Sequence, residues 1–254
     1  MGIVDGYAHC ALSKYKPIEN VKAVMQSAGV HRAILVQHLG EYDNTYIGQI
    51  VAAEPEHFAG VMIVNHESPD MDQTLTHLVD SGQFKGIRIT TEVAKAAPQL
   101  LRLAAKLGLI ILIYAHDGIA DFVGWLDGFL AMQPNTSIVI THMGNPDPTT
   151  DSQFEKHRSI FQLTQYPNVY YQISGMKMFC PFPHKLYYDL IAEALEWFGP
   201  KRLYWGSNYP VVGSDRDYIN DLQLLLGGKL PIPEEAIAMV AGENAEKLWF
   251  SNSV

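Results

Sequence analysis

Cysteine is scarce: Cys10 and Cys180 are the only two in 254 residues, too few for a disulfide framework. A reducing cytoplasm is the expected compartment. Basic residues are also few. Eighteen Lys and Arg stand against 27 Asp and Glu, a net charge of −9, with no basic run longer than two. That balance argues against a nucleic-acid partner, whose phosphates call for clustered cations. No apolar run approaches the roughly 20 residues that span a membrane. Met1–Asp5 lacks the basic flank and apolar core of a signal peptide, and Gly6 stands where a myristoylation signal wants Ser or Thr. Glycine-rich phosphate loops are missing too: neither GxGxxG nor the P-loop pattern occurs. A nucleotide-binding doubly wound sheet thereby loses its main support.

What is present is apolar and regular. Apolar residues make up 48% of the chain, enough for one large core. Eight strand-like runs recur: Gly2–Asp5, Arg32–Gln37, Ala59–Asn65, Phe84–Ile89, Leu109–Tyr114, Ser137–Thr141, Asn168–Ile173 and Arg202–Trp205. Amphipathic stretches separate them: Ile18–Ala28, Thr45–Ala53, Met71–Ser81, Pro98–Lys106, Phe122–Ala131, Asp151–Gln165 and Tyr187–Phe198. Their apolar residues recur at three- and four-residue steps, as in Val21, Val24, Met25 and Ala28. Gly29, Gly108 and Gly199 follow expected helix ends. Strand and helix alternating eight times predict an α/β fold, one (β/α)8 barrel spanning residues 1–254.

A barrel gathers its chemistry at the carboxyl ends of its strands. Reading those ends gives Tyr7 and His9, His38 with Glu41, Asp43 and Asn44, then His66, Arg88, His116, His142 with Asn145, Ser174, and Asn208. Five of ten histidines fall just after an expected strand, which points to an enzyme or ligand site. His9, His116 and His142 carry more weight than His38 and His66, because each abuts its apolar run. Cys10 beside His9 invites a nucleophile–base reading, but neighbouring strand residues face opposite ways, so packing is the expectation. Asn208 closes Arg202–Pro210, the stretch around which the chain is organised. A carboxylate there could bind metal or take a proton from water; an amide does neither well.

In this order the strand-end motifs resemble the amidohydrolase superfamily, specifically the amidohydrolase-related branch. That branch contains 2-pyrone-4,6-dicarboxylate lactonase, sugar-lactone hydrolases and a semialdehyde decarboxylase. Val4-Asp5-Gly6-Tyr7-Ala8-His9 stands where the branch has Asp and His-x-His, and Gly86-Ile87-Arg88 resembles its Gly-x-Arg. Thr141-His142-Met143-Gly144-Asn145-Pro146 is similar to Asp-His-x-Gly-x-Pro, and Gly206-Ser207-Asn208-Tyr209-Pro210 to Gly-Ser-Asp-Trp-Pro. Gln172-Ile173-Ser174-Gly175 and Gly242-Glu243-Asn244-Ala245 continue the likeness to the end of the chain. Two positions depart from it. Tyr7 replaces the first His and Asn208 the eighth-strand Asp, so both the metal site and the carboxylate base of metal-free relatives are broken.

The resemblance implies a hydrolase of a small anionic lactone or related cyclic compound, working without a metal. His142 is the expected acid/base and Arg88 the group for a carboxylate or oxyanion. Asn208 would orient water, Tyr7 would donate a proton, and His9 and His116 would polarise the carbonyl. Asp43, Asn44, Asn145 and Ser174 would line the pocket, and Asp43 is the one nearby carboxylate that could stand in as base. Three alternatives stay open: a zinc or manganese ion at His9 and His116, a decarboxylase or hydratase of an oxo-acid, and an inactive relative that only binds ligand. A homodimer is compatible with the fold.

Overall fold

The computed structural model describes residues 2–211 and 213–251. Eight parallel strands follow one another around a single sheet: β1 (Ile3–Ala8), β2 (Val30–Val36), β3 (Phe58–Met62), β4 (Phe84–Thr90), β5 (Ile110–Tyr114), β6 (Ile138–Ile140), β7 (Val169–Ile173) and β8 (Leu203–Trp205). Helices α1 (Ile18–Ala28), α2 (Thr45–Ala53), α3 (Met71–Asp80), α4 (Thr91–Ala96), α5 (Pro98–Lys106), α6 (Val123–Met132), α7 (Tyr188–Phe198) and α8 (Asp215–Leu226) form the connections. Two short helices, α9 (Glu234–Ala238) and α10 (Asn244–Trp249), end the chain across a single π turn. The (β/α)8 barrel expected from the alternation is therefore the fold. No helix among the described residues is long and apolar enough to cross a membrane.

The sheet closes where β1 meets the segment after β8. His9 N–H donates to Tyr209 C=O at 2.8 Å, and Asn208 N–H to Tyr7 C=O at 2.8 Å. Asp5, fully buried, accepts from the Ser207 N–H at 2.8 Å and hydroxyl at 2.6 Å, and from the Tyr7 N–H at 3.1 Å. This closure draws β1 out to Ala8, three residues past the expected end at Asp5. Tyr7 is thus a strand residue facing the barrel interior, packed with Val4, Ile34, Val36, Leu112 and Tyr204. The alternate strand residues, such as Ile3, Leu35 and Ile113, pack outward against the helices.

Trp249 of α10 fills the barrel from its amino-terminal end, and Gly86 makes room for it: a Cβ there would lie 2.8 Å from the indole. With that end filled, the interior of the barrel opens at the carboxyl ends of the strands. The segment before β7 corrects the sequence reading. Asp151 accepts from the N–H groups of Glu155 and His157, diverting them from a helical ladder. In place of a helix over Asp151–Gln165 there is a 3₁₀ run, His157–Gln165.

Candidate active site

Four strands aim side chains into the open end of the barrel. Tyr7 comes from β1, Arg88 from β4 and Tyr114 from β5. His142 follows β6 in the left-handed conformation (φ 52°), as do Met143 and Asn145. Residues held there without being glycine store strain, which proteins tolerate mainly at functional sites. Gly175 lets the ring in, because a Cβ at its φ of +65° would sit 3.0 Å from His142 Nδ1. Asn208 also has positive φ (53°), fixed by its N–H bond to Tyr7.

The rings make one buried cluster. Tyr7 lies edge-on to His142 at 4.6 Å between centroids and to His9 at 5.1 Å; Tyr114 lies 5.8 Å from His142. The guanidinium carbon of Arg88 stands 4.6 Å from the Tyr114 ring centre and 5.7 Å from that of Tyr7. His9 Nδ1 is 2.6 Å from the Val36 carbonyl oxygen, so that nitrogen donates and Nε2 keeps its lone pair. His142 Nδ1 is 2.8 Å from Ser174 Oγ, which in turn donates to Gln172 Oε1 at 2.9 Å.

Burial decides the protonation of these groups. It is the main cause that pushes His9 down to about 3, with the Arg88 charge adding to it. His142 is lowered well below the ordinary imidazole value for the same two reasons, in the same order. Both rings are neutral at pH 7. Burial also raises the Tyr7 phenol, and its hydroxyl has no hydrogen-bond partner among the described residues. Arg88 is the exception in this neutral setting. It is buried, and among the described residues its Nε has no partner and its one hydrogen bond is a long 3.4 Å bond from Nη1 to Gln37 C=O. No carboxylate among the described residues lies within ion-pair distance of it.

Of the residues singled out in the sequence, Tyr7, His9, Arg88, His142, Ser174 and Asn208 come together. Asn208 also reaches Met178 Sδ, at 3.8 Å. His116 does not join them: its side chain is 73% exposed, beside Tyr114 OH and Asp117. Because β5 ends at Tyr114, that residue takes the inward place and His116 falls on the rim. Asp43 is exposed, and its carboxylate accepts from the Thr45 N–H at the start of α2. Asn44 ties the β2–α2 loop to the end of β3 through both directions of bonding with Ile63. Asn145 is buried, with Nδ2 a long 3.4 Å from the His116 carbonyl. Cys10 packs in the outer core, its thiol pushed up to about 12 by burial, as expected of a packing residue.

Three contributors escaped the sequence reading. Tyr114 could have been found by counting inward positions back from the strand end. Gln172 sits inside β7, where a polar residue ends nothing. Tyr15, which stacks on His9 at 5.0 Å and meets His38 edge-on, lies on a loop without periodicity. The donor set suits no divalent metal. Among the described residues no three His, Cys, Asp or Glu side chains converge, Tyr7 and Asn208 offer neutral oxygens, and the Arg88 cation sits among them. His9 is buried and His116 lies on the rim, which also disfavours an ion shared by those two.

A closed (β/α)8 barrel with imidazoles, a phenol and a guanidinium gathered at its carboxyl end belongs to the class of barrel enzymes. The sequence model described as amidohydrolase matches residues 6–250, and the chain belongs to that family of hydrolases. A curated L-fucono-1,5-lactonase from Burkholderia ambifaria is 27% identical over 210 residues, 76% of this chain and 69% of its own length. Among solved structures, a probable 2-pyrone-4,6-dicarboxylic acid hydrolase from Acinetobacter baumannii with citric acid bound superposes with a TM-score of 0.80 at 16% identity. It covers 99% of this chain and all of its own. The 5-carboxyvanillate decarboxylase of Sphingomonas paucimobilis shares the fold at a TM-score of 0.67 and 16% identity, covering 99% of each chain.

Proposed function

We propose that this amidohydrolase opens the ring ester of a small carboxylated lactone without a resident metal. The observation that carries the reading is Arg88, a buried guanidinium with no carboxylate among the described residues to neutralise it. An anionic substrate supplies the missing partner, through paired N–H bonds to a carboxylate. The similarity to a fucono-lactonase supports the ester chemistry. Lys14, which acts on His9 and His38 from the rim, adds a second positive charge at the mouth of a chain that is otherwise acidic. Two free, buried cysteines need no oxidising compartment, and we place the enzyme in the cytoplasm.

The steps follow from which groups hold protons. His142, neutral, takes a proton from water as the water oxygen attacks the lactone carbonyl carbon. The carbonyl π pair moves to oxygen, and the Tyr7 hydroxyl, which has no protein acceptor, donates to the oxyanion. Asn208 orients the water through its amide. When the tetrahedral species collapses, the ring C–O bond breaks and the leaving alkoxide takes the proton from His142. A hydroxy acid is released, and the new carboxyl group loses a proton to solvent.

Chelator-treated protein assayed with carboxylated lactones and a pH indicator tests this. Turnover is expected, and His142→Ala is expected to reduce kcat by about 10²- to 10⁴-fold. Rates no better than those of His142→Ala would overturn the reading. Carbon dioxide release without titratable acid would move the enzyme to decarboxylation, and tight binding without turnover to an inactive relative.

The pH profile gives a second check. Because burial and Arg88 both lower His142, the acid limb of kcat/KM is expected below the ordinary imidazole value of 6.5. An anion bound to Arg88 cancels part of that effect. The acid limb of kcat, which reports the complex, is therefore expected at higher pH than that of kcat/KM. Coincident limbs would show that the substrate does not neutralise Arg88.

A further inference from the structure

We infer that Gln172 is a positioning residue that fixes, through Ser174, which ring nitrogen of His142 carries the proton. The inference rests on His142 being the base of the proposed reaction. Gln172 and Ser174 stand two residues apart along β7 and its extension, so both face the barrel interior. The carbonyl oxygen of Gly6 can only accept a hydrogen bond. The Gln172 amide therefore turns Nε2 toward it, 3.0 Å away, which leaves Oε1 facing the Ser174 hydroxyl. An amide oxygen also only accepts. The hydroxyl donates to it and keeps a lone pair for His142 Nδ1, 2.8 Å beyond.

Nδ1 then holds the hydrogen and Nε2 the lone pair that a base needs. Gln172, Ser174 and His142 are all 3% exposed or less, so water does not compete for these bonds. In the other tautomer Ser174 would have to donate to Nδ1, and the buried Gln172 Oε1 would lose the Ser174 hydroxyl as its donor. The direction of the relay is set at its far end, by a backbone carbonyl of β1 that cannot reverse. His9 reaches the same protonation through Val36, with no relay. The weaker reading of Gln172 is that it merely satisfies Gly6 inside the barrel. That role predicts no effect on the His142 ring.

The test reads the ring directly. Protein labelled with ¹⁵N-histidine, with the His142 signals assigned by their loss in His142→Ala, is examined at pH 7 without substrate. The wild type is expected to show Nδ1–H alone. Gln172→Met and Ser174→Ala are expected to populate Nε2–H visibly, and Ser174→Thr, which keeps the hydroxyl, to restore the single form. On a turned-over lactone the two disruptive variants are expected to lose about 10- to 100-fold in kcat, with KM within about twofold. A single Nδ1–H tautomer in Gln172→Met overturns the inference; should that variant not fold, the same result in Ser174→Ala does so. No substrate enters the tautomer measurement, so it stands or falls separately from the lactonase reading.

Discussion

The fold is expected to fail in mild acid, with an unfolding midpoint between about pH 5 and pH 4. Three buried imidazoles set the sign. His9 is lowered to about 3, His157 to about 4, and His142 well below 6.5, each chiefly by burial. A histidine with a depressed folded value contributes stability above its unfolded value of 6.5, and that stability is lost as pH falls below it. At pH 5 His9 and His157 each cost the fold about 2 kcal/mol, and His142 acts in the same direction. Asp5 works the other way. Burial raises it to about 6, so its protonated form favours the folded state, an advantage that is lost as pH rises through 6. It returns only about 1 kcal/mol between pH 7 and pH 5.

The histidines win: His9 and His157 alone leave a net loss of about 3 kcal/mol at pH 5, which His142 deepens, against a whole stability of about 5–15 kcal/mol for an ordinary domain. Circular dichroism against pH measures it. His157 lies behind the His142 turn and donates to Met143 C=O, so His157→Gln keeps a donor without titrating. That variant is expected to move the midpoint to lower pH. A protein still folded at pH 4, with its denaturant midpoint unchanged from pH 7, would show that these rings are hydrated.

The sequence is legible where one physical effect acts alone, and less so where two compete. Runs such as Leu109–Tyr114 announce buried strands because nothing polar interrupts them. β1 reads short in the sequence because Gly6, Tyr7 and Ala8 carry little of that pattern; pairing with the segment after β8 extends it. The lost helix before β7 follows from carboxylates that capture backbone N–H groups, a local effect that apolar spacing does not register. The site shows the same division. Arg88, His142 and Asn208 end apolar runs and stand out. His116 follows its run just as closely, yet the inward position belongs to Tyr114, two residues earlier. Gln172 is hidden inside a strand, and its partners, Gly6 and Ser174, come from chain segments far apart in sequence. No spacing in one chain displays that relation.

Arg88→Met is expected to separate function from stability. Removing the one cation of the cluster should reduce kcat/KM on a carboxylated lactone by about 10³-fold, the scale of a desolvated, charge-assisted pair. Arg88→Lys should recover little, since an ammonium lacks the planar fork. A neutral lactone of the same ring size distinguishes the two roles open to the guanidinium. If Arg88 holds the substrate carboxylate, the neutral lactone loses about tenfold or less; if it serves the oxyanion, both lose alike. The same substitution should raise stability by about 1–3 kcal/mol, because folding no longer buries an unpaired charge between Tyr7 and Tyr114. Denaturant unfolding and steady-state kinetics on one preparation measure both effects. A variant that is less stable yet equally active on carboxylated lactones would mean that Arg88 is held by the protein for the protein's own sake. The anion it lacks in the barrel would then not be the substrate.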